Sequence, residues 1–224
     1  MKRLIVFSMF LWMGFVMGLL VTSCSGDDED KKTNESAPKD VVAIDLGLPS
    51  GTKWASCNVG ANKPEEYGGY YAWGETEEKD YYNWSSYIHC GGTEKTCYDL
   101  GSDISGTKYD VAHVKWGGNW RMPTYVEMGE LMDNCTDVNT TLNGVNCRKF
   151  TSKINGNSIF LPIAGFHVDG GLNAVGYSYY WLSTQSPRLM QSAYRLRMHG
   201  IGSGFADRDD QFRYYGFSVR PVCK

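Results

Sequence analysis

Short apolar runs, separated by Gly, Pro and Asn residues, fill the chain from Val41 to its C-terminus. Runs of this length suit strands joined by tight turns, and they are too brief for the long amphipathic helices of a bundle. The 26 glycines and 15 tyrosines fit the same pattern, because glycine permits tight turns and aromatic rings favour strands. With 224 residues, the chain is long enough for one domain with appendages. The pattern predicts a single α+β domain over residues 41–224.

Seven of these apolar runs are predicted to be strands. They are Val41–Leu48, Lys53–Val59, Tyr70–Glu75, Ser158–Phe166, Tyr177–Thr184, Ala193–His199 and Tyr214–Val222. In the sixth run, the apolar side chains of residues 194, 196 and 198 alternate with Arg195, Arg197 and His199. Alternation of this kind places one set of side chains on each face of a strand. We therefore expect one face of this strand to be buried and the other to be wet or bound.

Two helices are predicted from the residues at their ends. Thr124 and Glu127 form a capping box, in which each side chain satisfies a free backbone N–H group at the helix start. Gly129 weakens this helix by about 1 kcal/mol relative to Ala. The other helix begins after Asp110 and stops at two consecutive glycines, residues 117 and 118. The apolar stripe of the first helix is expected to comprise Val126, Leu131 and Met132.

The N-terminus has the layout of a secretory signal peptide, with Lys2 and Arg3 ahead of an apolar run over Leu4–Val21. A membrane-spanning helix is the alternative, because the 18 residues of this run just reach the lower limit for crossing a bilayer. The sequence Val-Thr-Ser-Cys that ends at Cys24 resembles the lipobox of bacterial lipoproteins, and it favours the signal peptide. We expect residues 1–23 to be removed and Cys24 to be acylated, so that the membrane is a partner through the lipid.

Residues 24–40 are predicted to form a lipidated, flexible, acidic tether, because residues 25–40 include no large apolar side chain. The acidic start of this segment, Ser25–Asp30, resembles the signal that sends Bacteroidetes lipoproteins to the outer face of the outer membrane. A solvated tether of any kind would also be acidic. The resemblance implies a lipid-anchored location on the outer membrane, with the domain facing the cell exterior.

The cysteine count agrees with an oxidising location. Cys24 apart, an even set of six cysteines remains, as expected for disulfides in an exported chain: Cys57, Cys90, Cys97, Cys135, Cys147 and Cys223. Cys90 and Cys97 flank a glycine-rich turn, Cys135 and Cys147 flank a polar loop, and the remaining two lie near the ends of the domain. Zinc is the rival interpretation, but the local spacings do not match a structural zinc pair. The connectivity is a hypothesis.

Charge and motif content argue against several classes of function. The formal net charge of −3 argues against a nucleic-acid partner, because phosphate binding requires a basic excess. The four histidines form no metal-binding or nucleophile motif, so we expect no catalytic residue, no cofactor and no metal site. Three carboxylates within Asp207–Asp210 could attract calcium, but their spacing lacks the pattern of a calcium loop. A solvated turn is the favoured interpretation of that segment.

A binding surface is the remaining candidate site. Tyr, Trp and Arg dominate recognition surfaces, and aromatic planes also stack on sugar faces. The alternative is that half of these rings fill the core of a small sheet domain. We expect the loop region 177–213 to be the variable face, and the candidate ligand-binding residues are Tyr179, Trp181, Arg195, Arg197, Asp207 and Asp209.

Four sequence blocks carry a family resemblance over residues 43–223. They are Asp45–Ala55 with Cys57–Ala61, Tyr71–Glu75, Trp116–Thr124 and Gly216–Cys223. In this order they resemble the Fibrobacter succinogenes major paralogous domain, found in Bacteroidetes surface lipoproteins. More distantly, the sequence Arg-Met-Pro-Thr that ends at Thr124, at the start of a predicted helix, and the C-terminal block are similar to the formylglycine-generating enzyme family. That similarity implies a C-type-lectin-like fold with twisted antiparallel sheets, two short helices and long loops. The ends of such a fold lie together, which would suit a bridge between Cys57 and Cys223.

The enzyme family uses paired cysteines near its C-terminal end in copper-dependent oxidation, whereas residues 157–222 of this chain include no cysteine. The resemblance therefore implies the fold and not the activity. The expected function is a non-catalytic binding or adhesion module on the cell surface, with a glycan or a protein as ligand. A degenerate or unrecognised oxidoreductase of the formylglycine-generating class is the alternative, and a purely structural coat component is a third hypothesis.

Overall fold

Small antiparallel sheets and two helices make up the part of the chain that the computed structural model describes, which is residues 36–173, 176–200 and 206–224. These residues belong to one compact unit, Asn34–Lys224. Its strands are β1 Ala43–Asp45, β2 Lys53–Ala55, β3 Cys135–Leu142, β4 Val145–Ser152, β5 Ser158–Pro162, β6 Phe166–Val168, β7 Gly171–Asn173, β8 Tyr177–Gln185, β9 Ser192–His199, β10 Ala206–Phe212 and β11 Val222–Cys223. The helices are α1 Val111–Trp116 and α2 Tyr125–Asn134, with a 3-10 turn at Glu94–Thr96. The domain is an α+β fold with long connections.

The strands form four sheets, and every ladder between named strands in the described residues is antiparallel. The strand orders are β1-β2-β11, β10-β9-β8, β3-β4-β5 and β6-β7. Single bridges join the segment ahead of β11 to two of these sheets, at His167 of β6 with Gly216 and at Tyr180 of β8 with Ser218. The segment ahead of β11 therefore runs between the sheets and contacts several of them.

The predicted signal peptide, Cys24 and the first part of the tether, up to residue 35, lie outside the described residues. Within the described ranges, no helix combines the length and the apolar character that a bilayer span requires.

Both predicted helices are present and begin where their caps indicate. The Asp110 side chain accepts hydrogen bonds from the backbone N–H groups of residues 112 and 113 at the start of α1. Thr124 and Glu127 form both halves of the capping box at the start of α2. The predicted apolar stripe of α2 is wrong at Val126, which is 68% exposed, because the buried side of the helix is the one that carries Met128 and Leu131.

Several strands are shorter than predicted. Tyr70–Glu75 forms a single bridge at Tyr71 and no strand, and of Tyr214–Val222 only the last residue belongs to a strand. Two further regions differ in kind. The polar loop expected between Cys135 and Cys147 is instead part of the β3–β4 hairpin. Asn143 and Gly144 both have positive φ at its tip, as a tight hairpin turn requires. The solvated turn expected at Asp207–Asp210 is also wrong, because these residues belong to β10 and pair with β9.

A buried arginine ties the two ends of the domain together. Arg220 is fully buried, and its guanidinium donates to Asn58 Oδ1 at 2.8 Å, to the Ala55 carbonyl at 3.1 Å and to the Phe160 carbonyl at 2.9 Å. Burial lowers the pKa of this guanidinium. Because a buried donor left without partners is costly, these carbonyls fix the segment before β11 against the N-terminal part of the domain.

Candidate ligand-binding face

One face of the β8–β9–β10 sheet carries most of the predicted ligand-binding residues. The register places Tyr177 opposite His199, Tyr179 opposite Arg197, and Trp181 opposite Arg195. On the other side of β9, Asp207 lies opposite Arg197 and Asp209 opposite Arg195. Residues directly opposite each other share a face, so three rows of side chains run across the sheet.

The opposite face of the same sheet belongs to the core. Leu196 and Met198 are fully buried and pack with Met128 and Leu131 of α2. This confirms the predicted division of β9 into an apolar and a basic face. The burial differs from the prediction at two positions, because Tyr194 on the apolar face is half-buried and Arg195 on the basic face is buried.

Trp181 does not contribute to an accessible surface. Its side chain is 1% exposed, its indole N–H donates to the Tyr71 carbonyl at 2.8 Å, and its ring lies 4.3 Å from that of Phe217. The segment before β11 therefore covers this end of the face. The prediction that Trp181 contacts a ligand is wrong, because the residue is part of the core.

The charged side chains of the face form one network around Asp207. Arg197 donates to Asp207 Oδ2 from Nε at 3.0 Å and from Nη2 at 2.5 Å. Arg195 reaches Asp207 Oδ1 at 3.5 Å, and Asp209 lies farther out, 4.0 Å from Arg195 and more than half exposed. Asp207 thus holds two guanidinium groups in fixed positions.

Burial separates the two arginines of this network. Arg195 is 4% exposed, and burial followed by the charge of Arg197 lowers its pKa. The hydrogen bonds to Asp207 instead raise the pKa of Arg197, which stays half-buried. The guanidinium of Arg195 lies 4.9 Å from the ring centroid of Tyr179, a cation–π distance. Arg195 is therefore a support beneath the face, and Arg197 is the arginine that a ligand can reach.

A row of aromatic rings continues from this network across the surface. We call it the aromatic belt, and its members are partly exposed: Trp84, Tyr214, Tyr215, Phe166, Tyr179, Tyr177 and His199. Consecutive ring centroids in that order are 4.7, 4.6, 5.8, 4.9, 6.4 and 4.3 Å apart. Tyr177 is the most exposed of the tyrosines among them, at 39%. Contiguous aromatic side chains that keep part of their surface exposed commonly mark an interaction site.

The belt rests on a rigid support. Phe217 is buried beneath it, stacked on Tyr179 with ring centroids 5.0 Å apart and planes 18° apart. Backbone hydrogen bonds of 2.8 and 2.9 Å join His167 and Gly216, so β6 is held against the same segment. A side chain at Gly216 would meet the ring of buried Tyr82 within 2.6 Å, which explains why a glycine stands there. The rings are thus held in place before any ligand arrives.

Sequence reasoning identified only part of this belt. Tyr179 was predicted as a ligand-binding residue, and Arg197 and Asp207 lie beside it. Four residues were missed, because one belongs to β6 and the others lie in connections between elements: Phe166, and Trp84, Tyr214 and Tyr215. Among the residues that were missed, the adjacent tyrosines at 214 and 215 offered the one local signal of an aromatic surface.

The six cysteines of the domain are free thiols in the structure. Cys90 and Cys97 face each other in an antiparallel bridge, flanked by hydrogen bonds from Tyr98 N to the His89 carbonyl and from Gly91 N to the Thr96 carbonyl. This is the close, non-hydrogen-bonded type of cross-strand pair. Burial and the hydrogen bond with Cys97 raise the pKa of Cys90 to about 12. The fold therefore brings this pair together, and its oxidation stays a prediction.

The other local pairing, Cys135 with Cys147, and the long-range pairing that the resemblance suggests, Cys57 with Cys223, are not supported by the geometry. Cys135 pairs with Ser152 and Cys147 with Thr140, so the two cysteines lie five residues apart along the ladder. That is about 17 Å at strand rise, against a Cα separation of about 7 Å at most for a disulfide. Cys223 lies opposite Lys53, four residues before Cys57, and the Cys57 thiol donates to the Ala61 carbonyl at 3.3 Å. The structure does not bring these cysteines together, although the domain ends that carry Cys57 and Cys223 do meet.

Two cavities lie away from the belt. One, of about 360 Å³, is lined by His113, Trp120, Arg121 and Lys224 among others. The second, of about 420 Å³, is lined by residues of the 94–97 turn with Met190 and Gln191. Among the residues that the structure describes, no group of three or more His, Cys, Asp and Glu side chains is placed to hold a metal ion.

Comparisons of the chain with protein-family models, with curated proteins and with solved structures found no match. The family resemblance of the four sequence blocks therefore stays a prediction, and the site must be interpreted from its own geometry.

Proposed function

We propose that this protein is a non-catalytic binding module that captures an extracellular ligand on the aromatic belt. The observation that carries the proposal is the belt itself: seven partly exposed aromatic side chains whose neighbouring rings are in contact, with the ion pair of Arg197 and Asp207 beside Tyr179. Rigid aromatic side chains give a large contact area at little entropic cost, and a fixed guanidinium adds directed hydrogen bonds. A surface of this kind serves recognition.

The proposed fold is C-type-lectin-like, as in the major paralogous domain family. Two features support it. The block that starts at Trp116 leads into α2 through Thr124, as the resemblance implies. The C-terminal block ends on β11, which pairs with β2 inside the first block, so the two ends of the domain are adjacent. The family assignment is part of the proposal.

The proposed location is the outer face of the outer membrane, with Cys24 carrying the lipid. The sequence supports this through the apolar run, the residues before Cys24 and the acidic segment after it. A tether of this composition would let the belt reach ligands beyond the membrane surface.

The protonation of the thiols favours a binding function over an oxidoreductase activity of the formylglycine-generating class. Thiol nucleophiles react as thiolates, and active-site surroundings normally lower their pKa. Here burial raises the pKa of Cys57 and Cys147, and it raises that of Cys135 to about 11. These side chains are suited to packing within the fold.

The test uses the full-length chain in detergent, screened against a glycan array and an array of extracellular matrix proteins. We expect a ligand whose binding is lost when Tyr177 and Tyr215 are both replaced by Ala. The matched control replaces Tyr67 and Tyr98, which are 41% and 55% exposed but lie outside the belt. Equal loss in the control variant, or no change in the belt variant, would contradict the proposal.

A further inference from the structure

Cys90 and Cys97 face each other across a short hairpin, residues 89–98, and a cavity opens on the side of Cys97. We propose that this pair is a thiol–disulfide exchange site, in addition to the binding face. Cys97 is the sulfur that external thiols and disulfides attack, and Cys90 is the sulfur that resolves the mixed disulfide. This activity goes beyond the proposed function and does not depend on the aromatic belt.

The hairpin holds the two cysteines within bonding reach of each other. They form a directly opposed cross-strand pair, and backbone hydrogen bonds of 2.8 and 3.2 Å close the hairpin on either side of it. The Cα atoms of an opposed pair of this type lie about 4.5 Å apart, which is within the range of about 4.4–6.8 Å that a disulfide spans. The two sulfur atoms can therefore join and separate while the strands stay paired.

Burial distinguishes the two cysteines. Cys90 is 7% exposed and belongs to a buried cluster that includes Tyr87, whereas Cys97 is half-buried. Cys97 also lines the cavity of about 420 Å³, together with Lys95 and Met190 among others. Because thiol exchange requires access to the attacked sulfur, an external thiol can react at Cys97 and not at Cys90.

The segment that joins the two cysteines is free to move when the disulfide opens. Residues 91–96 are all exposed, and they include the 3-10 turn that precedes Cys97. Cys90 lies on the anchored side of the hairpin, because the imidazole of the preceding residue, His89, donates to the Gly74 carbonyl at 2.8 Å. Reduction therefore releases the turn with Cys97 and leaves Cys90 in place, ready to attack again.

A buried positive charge lies beside the protected sulfur. Arg213 is fully buried, and its guanidinium lies 5.1 Å from the ring centroid of Trp73 and 5.7 Å from that of Tyr87. Its Nη2 donates to the Tyr98 carbonyl at 2.8 Å, but Nε and Nη1 have no hydrogen-bond partner among the described residues. Burial raises the pKa of Cys90, and the charge of Arg213 opposes that rise. The guanidinium therefore stabilises the thiolate that forms at Cys90 when the disulfide opens.

The exchange proceeds in two steps that conserve electrons. An external thiol loses its proton and attacks Cys97 Sγ, the bond between the two cysteines breaks, and its electron pair leaves with Cys90 Sγ, which takes up a proton. A second external thiol then attacks the sulfur bound to Cys97, so that an external disulfide leaves and the pair remains as two thiols. In the reverse direction, Cys97 attacks an external disulfide, and Cys90 then attacks Cys97 and expels the second external thiol.

The experiment incubates the full-length chain in detergent with mixtures of reduced and oxidised glutathione, quenches it with an alkylating reagent and maps the sites by mass spectrometry. We expect the pair to equilibrate with the mixture while circular dichroism shows the protein folded. In the reduced chain, Cys97 should be alkylated about 10-fold faster than Cys90, a comparison that needs no substituted protein. The variant Cys90→Ser should accumulate a mixed disulfide at Cys97, whereas the matched variant Cys97→Ser should accumulate none at Cys90.

A second arm replaces oxidised glutathione with a disulfide-bridged apolar peptide. Faster exchange with the peptide assigns the site to polypeptide partners, and faster exchange with glutathione assigns it to small thiols; both results support the proposal. Three results would overturn it: a pair that is reduced only when the protein unfolds, a pair that forms no disulfide in any mixture, or equal alkylation of Cys90 and Cys97. None of the three bears on ligand binding by the belt, which the array experiment tests separately.

Discussion

Replacing Glu127 by Gln tests the ion pair that fastens the start of α2 to the rest of the domain. Arg121 donates to both oxygens of this carboxylate, at 2.8 and 2.5 Å. Thr52 Oγ1 donates to it at 2.8 Å, and the backbone N–H of Thr124 at 3.0 Å. Glu127 is 6% exposed, so these partners take the place of water. The variant keeps the shape of the side chain but removes its charge.

The magnitude follows from the pKa of Glu127. Burial alone would raise it, but hydrogen bonds from Arg121, Thr124 and Thr52 outweigh burial and lower it from 4.5 to about 2. Each pKa unit corresponds to about 1.4 kcal/mol, so the charged form stabilises the fold by about 3 kcal/mol at neutral pH. Arg121 keeps a fifth of its side chain exposed, and solvent screening reduces the figure to about 2–3 kcal/mol.

The pH dependence has a definite sign. Because the pKa is lower in the folded state, the unfolded chain binds the proton first as the pH falls. The stabilisation is therefore complete above pH 4.5 and is lost progressively as the pH falls toward 2. The Glu127→Gln variant has no group that titrates at this position. The difference in free energy of unfolding between the variant and the wild type should therefore shrink as the pH falls from 4.5 toward 2.

Urea unfolding followed by circular dichroism at pH 7, 4 and 2.5 measures this difference. We expect the variant to unfold about 2–3 kcal/mol more easily at pH 7, and to approach the wild type at the lowest pH. Glu130→Gln, a change on the same helix at a half-buried position, is the matched control. A variant as stable as the wild type at pH 7, or a gap that does not change with pH, would refute the reasoning.

Three further predictions concern stability. Arg220→Met should lower the free energy of unfolding by about 3–5 kcal/mol, because three backbone carbonyl groups and Asn58 lose a buried donor. Arg188→Met, at an exposed position, is the control and should have little effect in the same urea assay. Non-reducing peptide mapping should find Cys90 joined to Cys97, and Cys90→Ser should cost the oxidised protein about 2–3 kcal/mol; free thiols at both positions would contradict this. Gly216→Ala should cost about 1–3 kcal/mol by forcing a methyl group against Tyr82, whereas Gly171→Ala, which meets no atom within 4 Å, should be tolerated in thermal unfolding.

The sequence was most informative where the signal was local. The caps at Asp110 and Thr124 predicted both helix starts, because a cap is set by residues within one helical turn. The alternation along β9 predicted which side chains share a face, because the strand period requires no knowledge of its neighbours. It did not predict that Arg195, on the basic face, is also buried.

The errors arose where distant contacts or competing signals decide the outcome. Asn143 and Gly144 form the turn of the β3–β4 hairpin. The segment was predicted as a loop closed by a disulfide because a cysteine stands on each side of it. The charges of β10 oppose strand formation, and contacts with distant residues account for them. Asp207 pairs with Arg197 across the ladder, Arg208 donates to the Tyr125 carbonyl, and Asp210 accepts from Ser186. Trp181 was assigned to a surface because the sequence does not reveal that residues near Phe217 cover it.

The site could be predicted in part for the same reason. Tyr179, Arg197 and Asp207 belong to paired strands, so alternation placed two of them and the register supplied the third. Trp84 reaches the belt through the long connection between β2 and α1, and Phe166 reaches it from β6. No local pattern determines where either segment packs. Gly129 shows a related limit. Its low helix propensity weakens α2, but a Cβ at this position would lie 2.3 Å from Nη1 of Arg208, so the glycine leaves room for that side chain.

Hydroxyl-radical footprinting of the full-length chain, with and without bound ligand, tests the central claim most directly. Oxidation of each ring is read by mass spectrometry. A ligand on the aromatic belt should protect Tyr177 and Tyr215 and leave Tyr67 and Tyr98 oxidised as before. Protection confined to Tyr67 or Tyr98, or none at Tyr177 while the ligand is bound, would contradict the assignment of the belt as the binding face.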